Sequence, residues 1–168
     1  MNTAIVMLGA NVNQEENLTK AKNRLNDFFE ILDESTILIT QPIGKKYKTE
    51  FHNQAIKILS DDTAKETVKH FKHIENEMGR SAQTNQRGEV PIDIDLIFWN
   101  GVQKRSDYDK YPFVKQCVDE IKNNPNLSAN FPDSLSMQLF FRLSVSARFM
   151  LIEPTSRFAI ILQSFFRL

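Results

Sequence analysis

A chain of 168 residues is long enough for one well-buried domain. Its 21 basic and 21 acidic side chains leave a formal net charge of zero, which argues against a general nucleic-acid or membrane-surface binder. The single cysteine, Cys117, excludes a disulfide framework and suits a reducing cytoplasm, and no stretch approaches an uninterrupted transmembrane span.

The apolar run Thr3 to Leu8, closed by Gly9, predicts a first, central strand; no basic leader or cleavage site marks it as a signal peptide. Asn13-x-x-Glu16 has the form of a capping box and opens a helix carrying Leu18, Ala21, Leu25 and Phe28 on one stripe. Ser35 to Thr40 reads as a second strand, residues 41 to 48 as a loop rich in Pro, Gly and charge, and Asn53 to Leu59 as a third strand. Asp62-Thr63-x-x-Glu66 then caps a second helix whose inner stripe is Ala64, Val68, Phe71, Ile74 and Met78, with Gly79 ending it. A polar loop from Arg80 to Glu89 leads into a strand ending at Trp99, and a last helix spans roughly Asp107 to Lys122. The order β-α-β-β-α-β predicts an α+β, ferredoxin-like split βαβ fold, an antiparallel sheet with helices packed on one face and the other open to ligands. That architecture does not by itself imply an activity.

The strand Pro91 to Trp99 carries the most chemical information. Alternation points Ile92, Ile94, Leu96 and Phe98 one way and Asp93 and Asp95 together the other. Two like charges so close, flanked by apolar residues, each make the other harder to ionise. A hard divalent cation such as Mg²⁺ relieves that conflict; an amphipathic edge strand with its polar face in water is the alternative. Phe51 offers a face for a flat ring, though core packing would explain it equally, and Asn53 offers donor and acceptor to a heterocycle edge. His70 and His73 lie at helical spacing without an evident third ligand, and Cys117 has no basic motif beside it, so neither reads as a site. Gly9-Ala10-Asn11 is a turn and not a Walker-type loop, because no Gly-Lys-Ser/Thr follows.

From about Asn123 the composition shifts. Lysine is absent beyond Lys122, while Arg142, Arg148, Arg157 and Arg167 and more than half of the phenylalanines lie in this stretch. The expected division is therefore a domain over 1–122 and a compositionally distinct C-terminal extension over 123–168, without catalytic function; an amphipathic appendage packed on the domain or a partner, or an ordinary extra helix of the core, are the alternatives.

Taken in order, several segments resemble one family. Gly9-Ala10-Asn11 is similar to its G-S-N turn, Thr40-Gln41-Pro42-Ile43-Gly44 to its T-x-P-hydrophobic-G loop, and Phe51-His52-Asn53 to its aromatic-x-Asn. Ile74-Glu75-x-x-x-Gly79-Arg80 and Ile92-Asp93-Ile94-Asp95 match its I-E-x-x-x-G-R helix end and D-[LI]-D strand. The family is 6-hydroxymethyl-7,8-dihydropterin pyrophosphokinase, of the folate pathway, and the resemblance covers about residues 3 to 122. It implies a diphosphokinase that transfers the β,γ-pyrophosphate of ATP to the pterin hydroxymethyl group and leaves AMP. It implies Asp93 and Asp95 as ligands of two Mg²⁺ ions, and Phe51 and Phe113 as the walls of a pterin slot edged by Thr40, Ile43 and Asn53. Glu75 and Arg80 would face the nucleotide. The implied partners are ATP and a dihydropterin, in a cytoplasmic monomer with no nucleic acid or membrane.

The departures from the family pattern are equally specific. Arg87-Gly88-Glu89-Val90 stands where a tryptophan-G-P-arginine run is usual, so Val90 holds the arginine position and Arg87 the tryptophan position. Ala82 and Gln83 replace basic residues, a proline-histidine segment is missing, and the link from Trp99 to Phe113 is short. Loss of one positioned cation costs a phosphoryl-transfer site on the order of a hundredfold in rate. Arg87 or Arg105 could substitute as a catalytic cation beside Arg80, or Arg87 could be a solvated loop charge; both readings stand open. The alternative function is a catalytically impaired member that binds a pterin, a nucleotide or a protein partner.

Overall fold

The computed structural model describes residues 1–124; the expected extension lies, beyond its first two residues, outside them. The described chain runs β1 (Asn2–Ala10), α1 (Gln14–Asn26), β2 (Glu30–Glu34), β3 (Leu38–Thr40), β4 (Phe51–Ser60), α2 (Ala64–Glu77), α3 (Ala82–Arg87), β5 (Asp93–Trp99), β6 (Val102–Gln103), α4 (Asp107–Lys110) and α5 (Pro112–Lys122). No described helix is long and apolar enough to cross a membrane.

The α+β architecture is as expected: an open antiparallel sheet in the order β2-β4-β1-β5-β6, with β3 also paired to β4. β2 and β1 flank β4, which gives the split βαβ arrangement. β1 is apolar on both sides because both are covered. Ala4, Val6, Leu8 and Ala10 pack with Leu18, Ala21 and Leu25 of α1 and Phe71 and Ile74 of α2. Ile5 and Met7 pack with Val114, Cys117, Val118 and Ile121 of α5. The sequence expectation put all helices on one face. α5 takes the other, because its own apolar stripe needs cover and β1, β4 and β5 offer Ile5, Met7, Ala55 and Ile97 there.

Local differences have identifiable causes. Asn13 caps nothing with its side chain; it sits in the left-handed region at φ 43°. Phe28 lies beyond the end of α1 and is 39% exposed, while Phe29 enters the core. Thr63 and Glu66 do form the expected capping box, and Gly79, at φ 91°, ends α2. The expected second strand, Ser35 to Thr40, is a strand only over β3, and the sequence reading omits β2 before it; between the two the Ser35 hydroxyl accepts from Ala55 N at 2.9 Å. In β5 the pairing with β1 shifts between Ile5 and Val6, which oppose Phe98 and Leu96. This bulge leaves Ile97 without a partner in β1 and turns Phe98 to the α5 side, away from Ile92, Ile94 and Leu96. The expected loop from Arg80 to Glu89 holds the short α3, capped by Ser81 and Thr84. The last helix breaks at Tyr111, which is extended (φ −116°, ψ 114°) because it precedes Pro112.

Candidate active site

One cavity of about 280 Å³ opens where β1 ends and β4 and β5 begin, beside the loop after β3 and the segment between β6 and α5. The sheet register builds its floor. Met7 pairs with Asp95, Gly9 with Asp93 and, on the other flank, Gly9 with Asn53. These residues lie on the face that α5 covers only in part. Gly9 matters here through what it lacks: a Cβ would meet Asn53 Oδ1 at 3.3 Å.

Asn53 is 5% exposed. Its Nδ2 donates to Thr40 Oγ1 at 2.9 Å and more weakly to the carbonyls of Leu38 and Phe51, both at 3.3 Å. The amide is thereby fixed in orientation with Thr40 beside it. Aromatic walls stand on two sides. Tyr47 meets Phe51 edge-on at 5.2 Å, and Tyr111 stacks with Phe113 at 5.7 Å. Ile43, 59% exposed, lies on the rim. The cavity therefore brings together Thr40, Ile43, Phe51, Asn53, Arg80, Asp93, Asp95 and Phe113.

Asp93 and Asp95 project into the cavity as the alternation predicts. Burial, and next the charge of Asp93, push the Asp95 carboxyl from its ordinary 3.8 up to about 6. Two guanidinium groups answer this acidity in part. Arg80 Nη1 lies 3.4 Å from Asp93 Oδ1, and Arg105 Nη1 lies 2.8 Å from Asp95 Oδ1. Two crowded carboxylates on a cavity floor fit a hard cation that takes its other ligands from water and phosphate. Among the described residues no group of three or more His, Cys, Asp or Glu side chains could enclose a metal, so an all-protein cage is not offered.

The strand that carries the pair is fastened from beside as well as by its ladder. Glu75, 4% exposed, accepts from Ile94 N at 2.8 Å and from Lys72 Nζ at 2.7 Å. Arg80 Nη1 donates to Ile92 O at 3.0 Å. Just before the strand, Val90 N donates to Asn11 Oδ1 at 2.6 Å and Asn11 Nδ2 donates to Gly88 O at 2.9 Å. The structure does not bring Glu75 or Arg87 to the cavity. Glu75 lies beneath β5, and Arg87 pairs with Glu89 at 2.7 Å on the surface.

Sequence reasoning missed Tyr47, Tyr111 and Asp107, all of which line the cavity. Tyr111 carries a usable signal, an aromatic residue held extended by the proline after it. Asp107, two residues beyond Arg105, accepts from Arg105 Nε at 2.6 Å; nothing in the one-dimensional pattern ties it to Asp95.

The family described as 7,8-dihydro-6-hydroxymethylpterin-pyrophosphokinase matches residues 5–127. The chain is 30% identical over 107 residues to a folic acid synthesis protein of Dictyostelium discoideum, an overlap of 63% of this chain and 16% of that protein. It is 29% identical over 97 residues to a folate synthesis bifunctional protein of Arabidopsis thaliana, covering 56% of this chain and 20% of that one. The chain thus spans a fifth or less of these relatives' lengths. The family match covers most of the chain and runs through every residue of the cavity: the chain belongs to the 7,8-dihydro-6-hydroxymethylpterin-pyrophosphokinase family.

Proposed function

We propose that this chain transfers the β,γ-pyrophosphate of ATP to the hydroxymethyl group of 6-hydroxymethyl-7,8-dihydropterin. The observation that carries the reading is the cavity itself, which joins a crowded aspartate pair to a slot walled by aromatic rings. In this reading the pterin ring lies between Phe51 and Phe113 under the rim residue Ile43, with Thr40 and Asn53 reading its edge. That grip holds the substrate hydroxyl toward Asp93 and Asp95. The hydroxyl oxygen bonds to the β-phosphorus and gives up its proton to solvent, the bond from the β-phosphorus to the α,β-bridging oxygen breaks, and AMP leaves with that oxygen. Asp93 and Asp95 would hold two Mg²⁺ ions, which when bound neutralise phosphate charge and favour the ionised hydroxyl. Arg80 supplies a guanidinium beside Asp93, while Glu75 acts through β5 by fixing the backbone of Ile94. Little covalent chemistry is asked of the protein; positioning and charge neutralisation suffice.

The proposed catalytic unit is a monomer contained within the described domain, with residues 123–168 taking no part in the chemistry. The test is AMP formation from ATP, Mg²⁺ and the dihydropterin by the purified chain. Activity that depends on Mg²⁺ and is lost in an Asp93→Ala, Asp95→Ala double variant supports the reading. No AMP above that variant's level would refute it.

A further inference from the structure

Arg105 occupies an unusual place. Its Nη1 lies 2.8 Å from Asp95 Oδ1 and its Nε 2.6 Å from Asp107 Oδ2, so one guanidinium bridges two carboxylates at the cavity wall. Its side chain is 48% exposed, against 21% for Asp95 and 23% for Asp107, so the arginine has room to swing while its two acceptors are held in place. Arg105 belongs to the short turn after β6, between two-residue and four-residue elements. The other candidate cation of the sequence, Arg87, is engaged with Glu89 outside the cavity, and the position before the strand is Val90.

We propose that Arg105 is a latch at the metal site: in the free protein it neutralises Asp95, and cation loading displaces it, still tethered to Asp107, onto the phosphates of the nucleotide. The inference rests on the pyrophosphokinase reading of the cavity and adds an order of events to it. A divalent cation beside Asp95 puts two positive charges next to a guanidinium within contact distance, and that repulsion is large in a half-buried site. Asp107 holds the guanidinium through Nε, which leaves both terminal nitrogens free to make the paired hydrogen bonds that phosphate oxygens accept. Asp107 is thus a positioning residue, and Arg105 is the residue that would touch substrate. The same side chain opposes the metal in the free protein and supports the nucleotide in the loaded one.

Those opposite roles give opposite signs in binding. The probes are Mn²⁺, followed by its paramagnetic signal, and α,β-methylene-ATP, whose bridge cannot be cleaved. Arg105→Gln should tighten Mn²⁺ on the free protein by about tenfold, since a competing charge is gone. It should weaken α,β-methylene-ATP in the presence of Mn²⁺ by about tenfold or more, since a charge-assisted contact is lost. Asp107→Asn, which leaves Arg105 able to reach Asp95, should weaken the nucleotide analogue without tightening Mn²⁺. Arg105→Lys keeps the charge but not the two-pronged reach, and its Mn²⁺ affinity should lie between those of the wild type and Arg105→Gln. An Arg105→Gln protein with unchanged affinity for either probe overturns the latch. An Arg105→Lys protein that binds Mn²⁺ as the wild type does reduces the effect to net charge and overturns the bridge. A wild-type chain that binds neither probe fails the pyrophosphokinase reading itself, and the latch with it.

Discussion

The aspartate pair makes a prediction about stability as well as catalysis. In metal-free protein the carboxyl of Asp95 is pushed to about 6 against an ordinary 3.8, by burial first and by Asp93 second, even though Arg105 and Lys72 pull the other way. At ~1.4 kcal/mol per pH unit, the gap from 3.8 to about 6 amounts to about 3 kcal/mol of folding free energy that ionised Asp95 costs the native state. The sign follows from proton binding. Between 3.8 and about 6 the folded chain holds this proton and the unfolded chain does not, so this group's contribution to stability falls as pH rises through that window. Asp95→Asn keeps the shape and removes the charge. It should therefore stabilise the metal-free protein at pH 7, by about 2 kcal/mol once the solvent-exposed part of the side chain is allowed for. The gain should roughly halve by pH 5 and close below about pH 4. Urea unfolding in EDTA at these pH values, followed by circular dichroism, measures it. Added Mg²⁺ should stabilise the wild type through binding and leave the variant unchanged. A variant less stable than the wild type at pH 7 in EDTA, or a difference that does not change with pH, would refute the reasoning.

Three further outcomes are expected. Gly88 sits at φ 75°, and a Cβ there would stand 2.4 Å from the Lys46 carbonyl oxygen, so Gly88→Ala should cost about 2 kcal/mol or more, read as a lowered Tm. Arg87→Ala, which removes a guanidinium held by Glu89 at the surface, should leave AMP formation within about twofold of the wild type; a loss of a hundredfold would return Arg87 to the catalytic set. Phe51→Ala removes one wall of the slot and should raise the KM for the dihydropterin about tenfold or more with a smaller effect on kcat, as steady-state kinetics would show.

Much of the fold was legible because its signals are local and redundant. The stripe of α2, its Thr63 cap and its Gly79 stop all point to one helix, and the apolar runs of β1 and β4 leave few alternatives. The misread places are those where a single side chain or a tertiary contact decides. Ser35 begins no regular strand, its hydroxyl taking Ala55 N between β2 and β3, and a bulge at Ile97 reverses the face of Phe98. α5 covers the second face of the sheet because of what lies opposite it, which no periodicity within α5 reveals. The cavity follows the same division. Residues on strands, Phe51, Asn53, Asp93 and Asp95, reach it through alternation and register, both written in the sequence. Asp107 and Tyr111 reach it through turns, whose path depends on the packing of Tyr108 against Phe98 and of α5 on the sheet.

The site also divides by rigidity, and this bears on how it manages with Val90 where a cation would be expected. The acidic half is fixed. Ile92 and Ile94 of the aspartate strand are pinned by Arg80 and Glu75, and Val90 by the buried Asn11, so the carboxylates are in place before any ligand arrives. Such preorganisation spares the site the reorganisation that would otherwise accompany charge binding. The basic half is arranged differently. Arg80 is committed to the Ile92 carbonyl as well as to Asp93, which limits how far it can follow a phosphate. Arg105 stands on short elements with half its side chain in solvent, and its two partners are both carboxylates that a cation or a phosphate could replace. A rigid anionic floor and a movable cation favour an order in which the metal binds first and the guanidinium follows the phosphate. In that order the cationic group lost from the loop need not be restored at the same position. It has only to reach a phosphate from another element, the turn after β6.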